Sequence, residues 1–160
     1  VRRMKPKRIL IVDGYNVLFT LTNYRRGHPL FLGTDGLVRD AGGAHGRIQD
    51  PGLFLECARA ATERLADLGV AYAELYLDAP VSGSGTHAAA LRDLLARAGV
   101  TGRVELAASA DGPVRDFEGG FAASSDSAVA VAARSPVFDL ARDILETRYG
   151  AVFPDLGMVV

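Results

Sequence analysis

The chain predicts an α/β fold in three layers, a central parallel sheet between helices, with a β-hairpin inserted after the first helix. Ile9-Leu10-Ile11-Val12 is an unbroken apolar run ending on Asp13-Gly14, the pattern of a strand covered on both faces, as in parallel sheets. Behind it, short apolar runs alternate with helical periodicity, which implies right-handed crossovers between parallel strands. Asp35-Gly36 lies between apolar arms, a strong hairpin signal.

The elements follow in order. The first strand gives way to a short helix over 15–24, then to a hairpin over 29–40. A glycine-rich stretch, Ala41-Gly42-Gly43-Ala44-His45-Gly46, leads to Asp50-Pro51, an N-cap followed by proline in the first turn, which opens a helix that runs to 68 and is closed by Gly69. A strand over 73–77, a Pro/Ser/Gly loop and a helix over 86–98, with Leu91, Leu94, Leu95 and Ala98 on one face, continue the alternation. Next come a strand over 103–107, a loop through Asp111 and Asp116, a small-residue strand over 120–123 and an alanine-rich helix over 127–134. A strand over 136–138 and a helix over 140–149, stopped by Gly150, precede a tail over 151–160. No internal repeat or second domain is visible, so 1–160 reads as one domain with a basic tail over 1–7.

The length of 160 residues suffices to bury roughly two thirds of the unfolded chain's surface. One cysteine, Cys57, permits no intrachain disulfide and suits a reducing cytoplasm. No apolar run approaches the ~20 residues of a membrane span, and the start has no apolar signal core, so a cytoplasmic protein without membrane segments is expected. Eighteen Lys and Arg against 19 Asp and Glu exclude the global basicity of a protein that coats nucleic acid. Arg2, Arg3, Lys5, Lys7 and Arg8, with Arg25, Arg26, Arg39 and Arg47, form either a local phosphate-facing patch or a solvated tail with ordinary surface arginines.

Acids recur at predicted strand ends: Asp13, Asp78, Asp126 and Asp139 each follow an apolar run, and Asp111 lies just beyond the third long strand. In an all-parallel sheet every carboxyl end lies on one edge, where such folds bind ligands. Clustered carboxylates repel and raise one another's pKa values. A hard divalent cation relieves this, and an oxygen-only donor set favours Mg²⁺ or Mn²⁺ over zinc. Each acid also has a local explanation: Asp13, Asp126 and Asp139 as N-caps, Asp78 within its own turn, Asp111 as an exposed loop acid.

Asp13-Gly14-Tyr15-Asn16, Leu77-Asp78-Ala79-Pro80 and Ser124-Ser125-Asp126-Ser127 together resemble the NYN/PIN-like superfamily of metal-dependent ribonucleases, over most of 8–149. The resemblance implies a metal held by Asp13 and Asp126, with Asp78 and Asp111 as further acidic positions and Asp139 as an addition. It places the Asn16 amide near the scissile phosphate and implies catalytic roles for Asp13, Asn16, Asp78 and Asp126. The implied reaction is hydrolysis of single-stranded RNA with Mg²⁺ or Mn²⁺ acidifying water and neutralising phosphate charge. Where many members carry a second acid directly after the fourth-strand motif, this chain has Ser127-Ala128-Val129, which points to a thinner site or a single ion. The hairpin is an insertion expected to fold over the site, with Arg39, Asp40 and His45 touching substrate. Ser125 and Ser127 are candidates for an adjacent phosphate, or for satisfying the helix start.

Two other readings stay open. Gly83-Ser84-Gly85-Thr86-His87-Ala88, with Glu105 beyond it, fits a G-x-G-x-x-A dinucleotide pattern, although five residues separate it from the strand. A non-catalytic RNA-binding or assembly module on a nuclease fold is the other, since fold does not guarantee activity. The sequence also leaves open a homodimer.

Overall fold

The computed structural model describes residues 9–40, 48 and 50–154. The basic tail over 1–7, His45 in its glycine loop, Arg47 and residues 155–160 lie outside the described residues.

The chain forms β1 (Ile9–Asp13), α1 (Gly14–Arg25), β2 (Leu30–Leu32), β3 (Val38–Asp40), α2 (Pro51–Asp67), β4 (Tyr72–Asp78) and α3 (Ser84–Arg97). Then follow β5 (Gly102–Ala107), α4 (Asp111–Asp116), β6 (Phe121–Ala123), α5 (Ser127–Ala132), β7 (Val137–Phe138) and α6 (Leu140–Tyr149). Five strands make one sheet in the order β5-β4-β1-β6-β7, and every pairing in it is parallel. The unbroken apolar strand β1 therefore sits at the centre.

Alternation along the strands divides the core. Leu10 and Val12 of β1, Ala73, Leu75 and Leu77 of β4, Val104 of β5 and Phe138 of β7 point into the main core with buried residues of α1, α2, α3 and α6. Ile11 and Ala122 point the other way, against Val114 of α4 and Val129 of α5. These are the three layers the periodicity predicts, one of helices of 10 to 17 residues and one of two six-residue helices. The chain winds outward from β1 to β4 and β5, then crosses to β6 and β7. The strand order thus reverses between β1 and β6, the place where open α/β sheets bind ligands at their carboxyl ends.

Local chemistry fixes the boundaries. The Asp50 carboxylate accepts from the Leu53 amide and Pro51 occupies the first helical turn, a cap worth about 1 kcal/mol. Gly14 begins α1 where a Cβ would lie 2.6 Å from Leu77 Cδ2 and 2.9 Å from the Tyr76 carbonyl, so only glycine lets α1 start flush against β4.

The hairpin β2–β3 is antiparallel and separate from the main sheet, with Gly36 at φ +78°. It is anchored to the carboxyl edge: the Val38 amide donates to Asp139 at 2.8 Å, Arg142 donates to the Gly36 carbonyl at 3.0 Å, and the Leu32 amide donates to the Pro154 carbonyl at 2.9 Å. The start of the C-terminal tail therefore docks beside β2.

Three sequence expectations shift. Residues 111–116, expected as loop, are helical; Pro113 falls in the first turn, where its missing N–H costs nothing. Helix α3 begins at Ser84 rather than at 86, and α5 ends at Ala132 rather than at 134. Among the described residues no helix is long and apolar enough to cross a membrane.

Gly14→Ala should lower stability by roughly 1–3 kcal/mol, the usual cost of overpacking, because one of the atoms met is backbone. Urea unfolding followed by circular dichroism checks this; an unchanged midpoint would show that α1 moves freely off β4.

Candidate functional site

Asp13 ends the central strand at the point where the sheet order reverses, and it is only 4% exposed. It accepts a hydrogen bond from the Ser124 hydroxyl at 3.1 Å. Burial is the main reason its carboxyl is pushed up to about 7. The Ser124 hydrogen bond works against that rise, while the negative charges of Asp111, Asp78 and Asp126 add to it. Four acids from the ends of β1 and β4, the start of α4 and the cap of α5 thus act on one another electrostatically. Asp111 is raised as well, by burial first and then by Asp126 and Asp78, with Arg115 opposing.

No ion pair neutralises any of these four among the described residues. Arg115, whose charge opposes the rise of Asp111, pairs with Asp116, and Arg39 of β3 pairs with Asp35. The acids are partly spoken for by backbone. Asp78 Oδ1 accepts from the Ala110 amide at 2.7 Å, and Asp126 Oδ1 accepts from the amides of Ala128 and Val129 at 2.8 and 3.2 Å. Capping of α5 uses only one of the two oxygens of Asp126.

Ser124 holds the centre together. Its hydroxyl also lies 3.5 Å from Asn16 Oδ1 and accepts from the Asp126 amide at 3.1 Å. Asn16 Oδ1 in turn accepts from the Ser125 amide at 2.8 Å, and among the described residues the Asn16 amide nitrogen has no hydrogen-bond partner. The sequence motif Ser124-Ser125-Asp126-Ser127 contained this signal, although Ser124 itself was not singled out. Tyr15 was also missed. Its hydroxyl bonds His87 Nδ1 at 2.7 Å, and burial together with Asp78 pushes its phenol up to about 12. Tyr15 therefore stays protonated beneath the acids.

Other expected site residues are placed differently. Asp139 is buried at the cap of α6, where its carboxylate accepts from the Val38 and Arg142 amides and the Ser125 hydroxyl; burial raises its pKa, and the acids that raise Asp13 and Asp111 are other ones. Ser125, 6% exposed, has its hydroxyl committed to Asp139 at 2.9 Å. Arg39 reaches the edge, yet its guanidinium donates to the carbonyls of Ser125 and Val38 and pairs with Asp35. Asp40 accepts from the Asn23 amide at 2.7 Å. Ser127 is exposed. The pattern from Gly83 to Ala88 closes a tight turn, with Gly83 at φ +82° and the Ser84 hydroxyl donating to the Ala79 carbonyl at 2.8 Å.

A cation fits this donor set in one way. Among the described residues no three His, Cys, Asp or Glu side chains converge closely enough to enclose a metal, so a fully protein-made cage is not formed. Mg²⁺ commonly takes only one or two carboxylates and keeps several waters, and a buried acid flanked by three like charges suits that arrangement.

The Asp13 shift predicts pH dependence. A carboxyl whose pKa is raised on folding favours the protonated folded state, so stability falls as pH rises from about 4 to about 7, by on the order of 4 kcal/mol at most. Asp13→Asn should therefore be more stable than wild type at pH 8 and nearly equal to it at pH 4. Urea midpoints across that range measure this, and parallel curves for the two proteins would place the titration elsewhere.

No curated protein and no solved structure matches the chain. The family model described as a domain of unknown function, DUF5616, matches residues 2–143, and the chain belongs to that family.

Proposed function

We propose that the acidic edge is the site of a Mg²⁺- or Mn²⁺-dependent ribonuclease in a NYN/PIN-like domain. The observation that carries the reading is Asp13, a carboxylate 4% exposed at the sheet's switch point, raised toward neutrality with three other acids acting on it and, among the described residues, no ion pair to neutralise it. Perturbed acids of this kind cluster at functional sites.

Asp13 and Asp126 would hold the cation, and Asp78 and Asp111 would add negative charge around it. When bound, the cation supplies charge neutralisation at the phosphate and acidified water. Asp126 is suited to this because capping α5 fixes its carboxylate through Oδ1 and leaves the other oxygen. The Ser124 hydroxyl orients Asp13. Asn16, its carbonyl oxygen occupied by the Ser125 amide, offers its amide N–H groups to a phosphate oxygen, and the exposed Ser127 hydroxyl is a second donor. Flexible single-stranded RNA suits an open edge, because its backbone can bend toward the acids.

The test is cleavage of single-stranded RNA with Mg²⁺ or Mn²⁺, with and without EDTA. Asp13→Asn and Asp126→Asn should each abolish cleavage while keeping the fold; asparagine caps helices as well as aspartate does, so the second change removes charge without removing the cap. The double variant should be scarcely worse than either single one if both act through one cation. Cleavage that survives both substitutions and EDTA would point to a contaminating nuclease. Inactivity on diverse RNAs, with RNA binding retained, would favour a binding module on the same fold.

A further inference from the structure

We infer that the β2–β3 hairpin is a clamp on the turn that carries Asp126, and that Arg39 and Asp139 are positioning residues for the cation site; this rests on the reading of the acidic edge as cation-binding.

The turn between β6 and α5 is gripped at Ser125, where every polar group is taken. Its amide donates to Asn16 of α1 at 2.8 Å, its carbonyl accepts from Arg39 of β3 at 2.6 Å, and its hydroxyl donates to Asp139 at 2.9 Å. The three partners come from different parts of the chain, so Ser125 cannot shift without breaking at least one bond. Its neighbours on either side are Ser124, which orients Asp13, and Asp126. A displacement of Ser125 is thereby passed to both carboxylates that hold the cation.

Arg39 and Asp139 are themselves held. The Arg39 guanidinium also pairs with Asp35 in the hairpin turn and donates to the Val38 carbonyl at 3.2 Å. Asp139 accepts from the Val38 amide at 2.8 Å, so a single carboxylate ties β3 to the Ser125 hydroxyl. Arg142 completes the attachment at the Gly36 carbonyl. The hairpin adds no strand to the main sheet, and Arg39 together with Val38, by way of Asp139, ties it to Ser125 beside Asp126. Mg²⁺ demands near-ideal geometry at about 2 Å, so a turn free to drift would weaken the site without removing any ligand.

The experiment follows the thermal midpoint of the whole protein at pH 8 during titration with MgCl₂ and, separately, MnCl₂. Wild type should rise saturably with cation, as expected for a ligand of the folded state. Arg39→Met keeps the stem but loses the donors, and should need roughly tenfold more cation for half the rise, the scale of losing a group that orients a ligand. Arg39→Lys should fall between the two, since an ammonium can meet the Ser125 carbonyl but cannot reproduce the planar fork. Arg64→Ala, which removes the remote pair with Asp143, should lower the midpoint without cation yet keep the wild-type cation requirement. If Arg39→Met does not fold, Arg39→Lys and Asp35→Asn carry the same comparison. A wild-type cation requirement in the Arg39 variants, with a lower midpoint, makes the hairpin merely structural and overturns the clamp alone. A wild type indifferent to both cations overturns the cation reading and the clamp with it.

Discussion

Asp13 sets the terms for this edge of the molecule, because a carboxylate is placed at the end of the central strand where, among the described residues, the Ser124 hydroxyl is what solvates it. Removing a carboxylate from water costs several kcal/mol unless charge or hydrogen bonds replace the lost hydration. Here the surroundings add negative charge instead, and the acid answers by holding its proton up to about neutral pH. A carboxylate in that state gains more from a nearby cation than an exposed one does, because the cation offsets both the burial and the repulsion. The fold thus spends stability at one strand end, which is common where a site has a task.

The surrounding turns make that arrangement rigid. Asp78 fastens the start of α4 through the Ala110 amide, and Asp126 caps α5. An acid that caps a helix has its side chain fixed by the backbone it satisfies, so its second oxygen is presented in one direction. Capping and ligation are therefore not competing explanations for Asp126. For Asp139 they are, because its partners lie on both oxygens and come from three elements.

What was legible in the sequence was whatever one strand or one turn decides alone. The apolar run Ile9–Val12 foretold a central strand, Asp50-Pro51 foretold a helix start, and Asp35-Gly36 foretold a hairpin. The height of the acids along the strands was legible too, since parallel strands share one edge. Their direction was not. Whether Asp139 turns toward Asp13 or toward the hairpin depends on Val38, a residue 101 positions away, and no local pattern encodes that. The partner of Arg39 was hidden for the same reason, because it is a carbonyl 86 positions along the chain. The short helix α4 was hidden because Gly112 and Pro113 read as loop, although proline is tolerated in a first turn. His45 lies outside the described residues.

The local charge balance carries the proposed reading one step further. Four acids act on one another at the edge, while Arg39 and Arg115 are paired with Asp35 and Asp116. Among the described residues, an RNA phosphate approaching Asp13 would therefore meet mainly repulsion. On the proposed reading, a divalent cation is needed for the phosphate to stay as well as for the bond to break, so cation dependence belongs to binding at this edge as much as to chemistry. A module that bound RNA without a cation would have to use another face, where carboxylates do not dominate. The two readings therefore differ in where the RNA lies, and that difference follows from the sign of the charge at the end of β1.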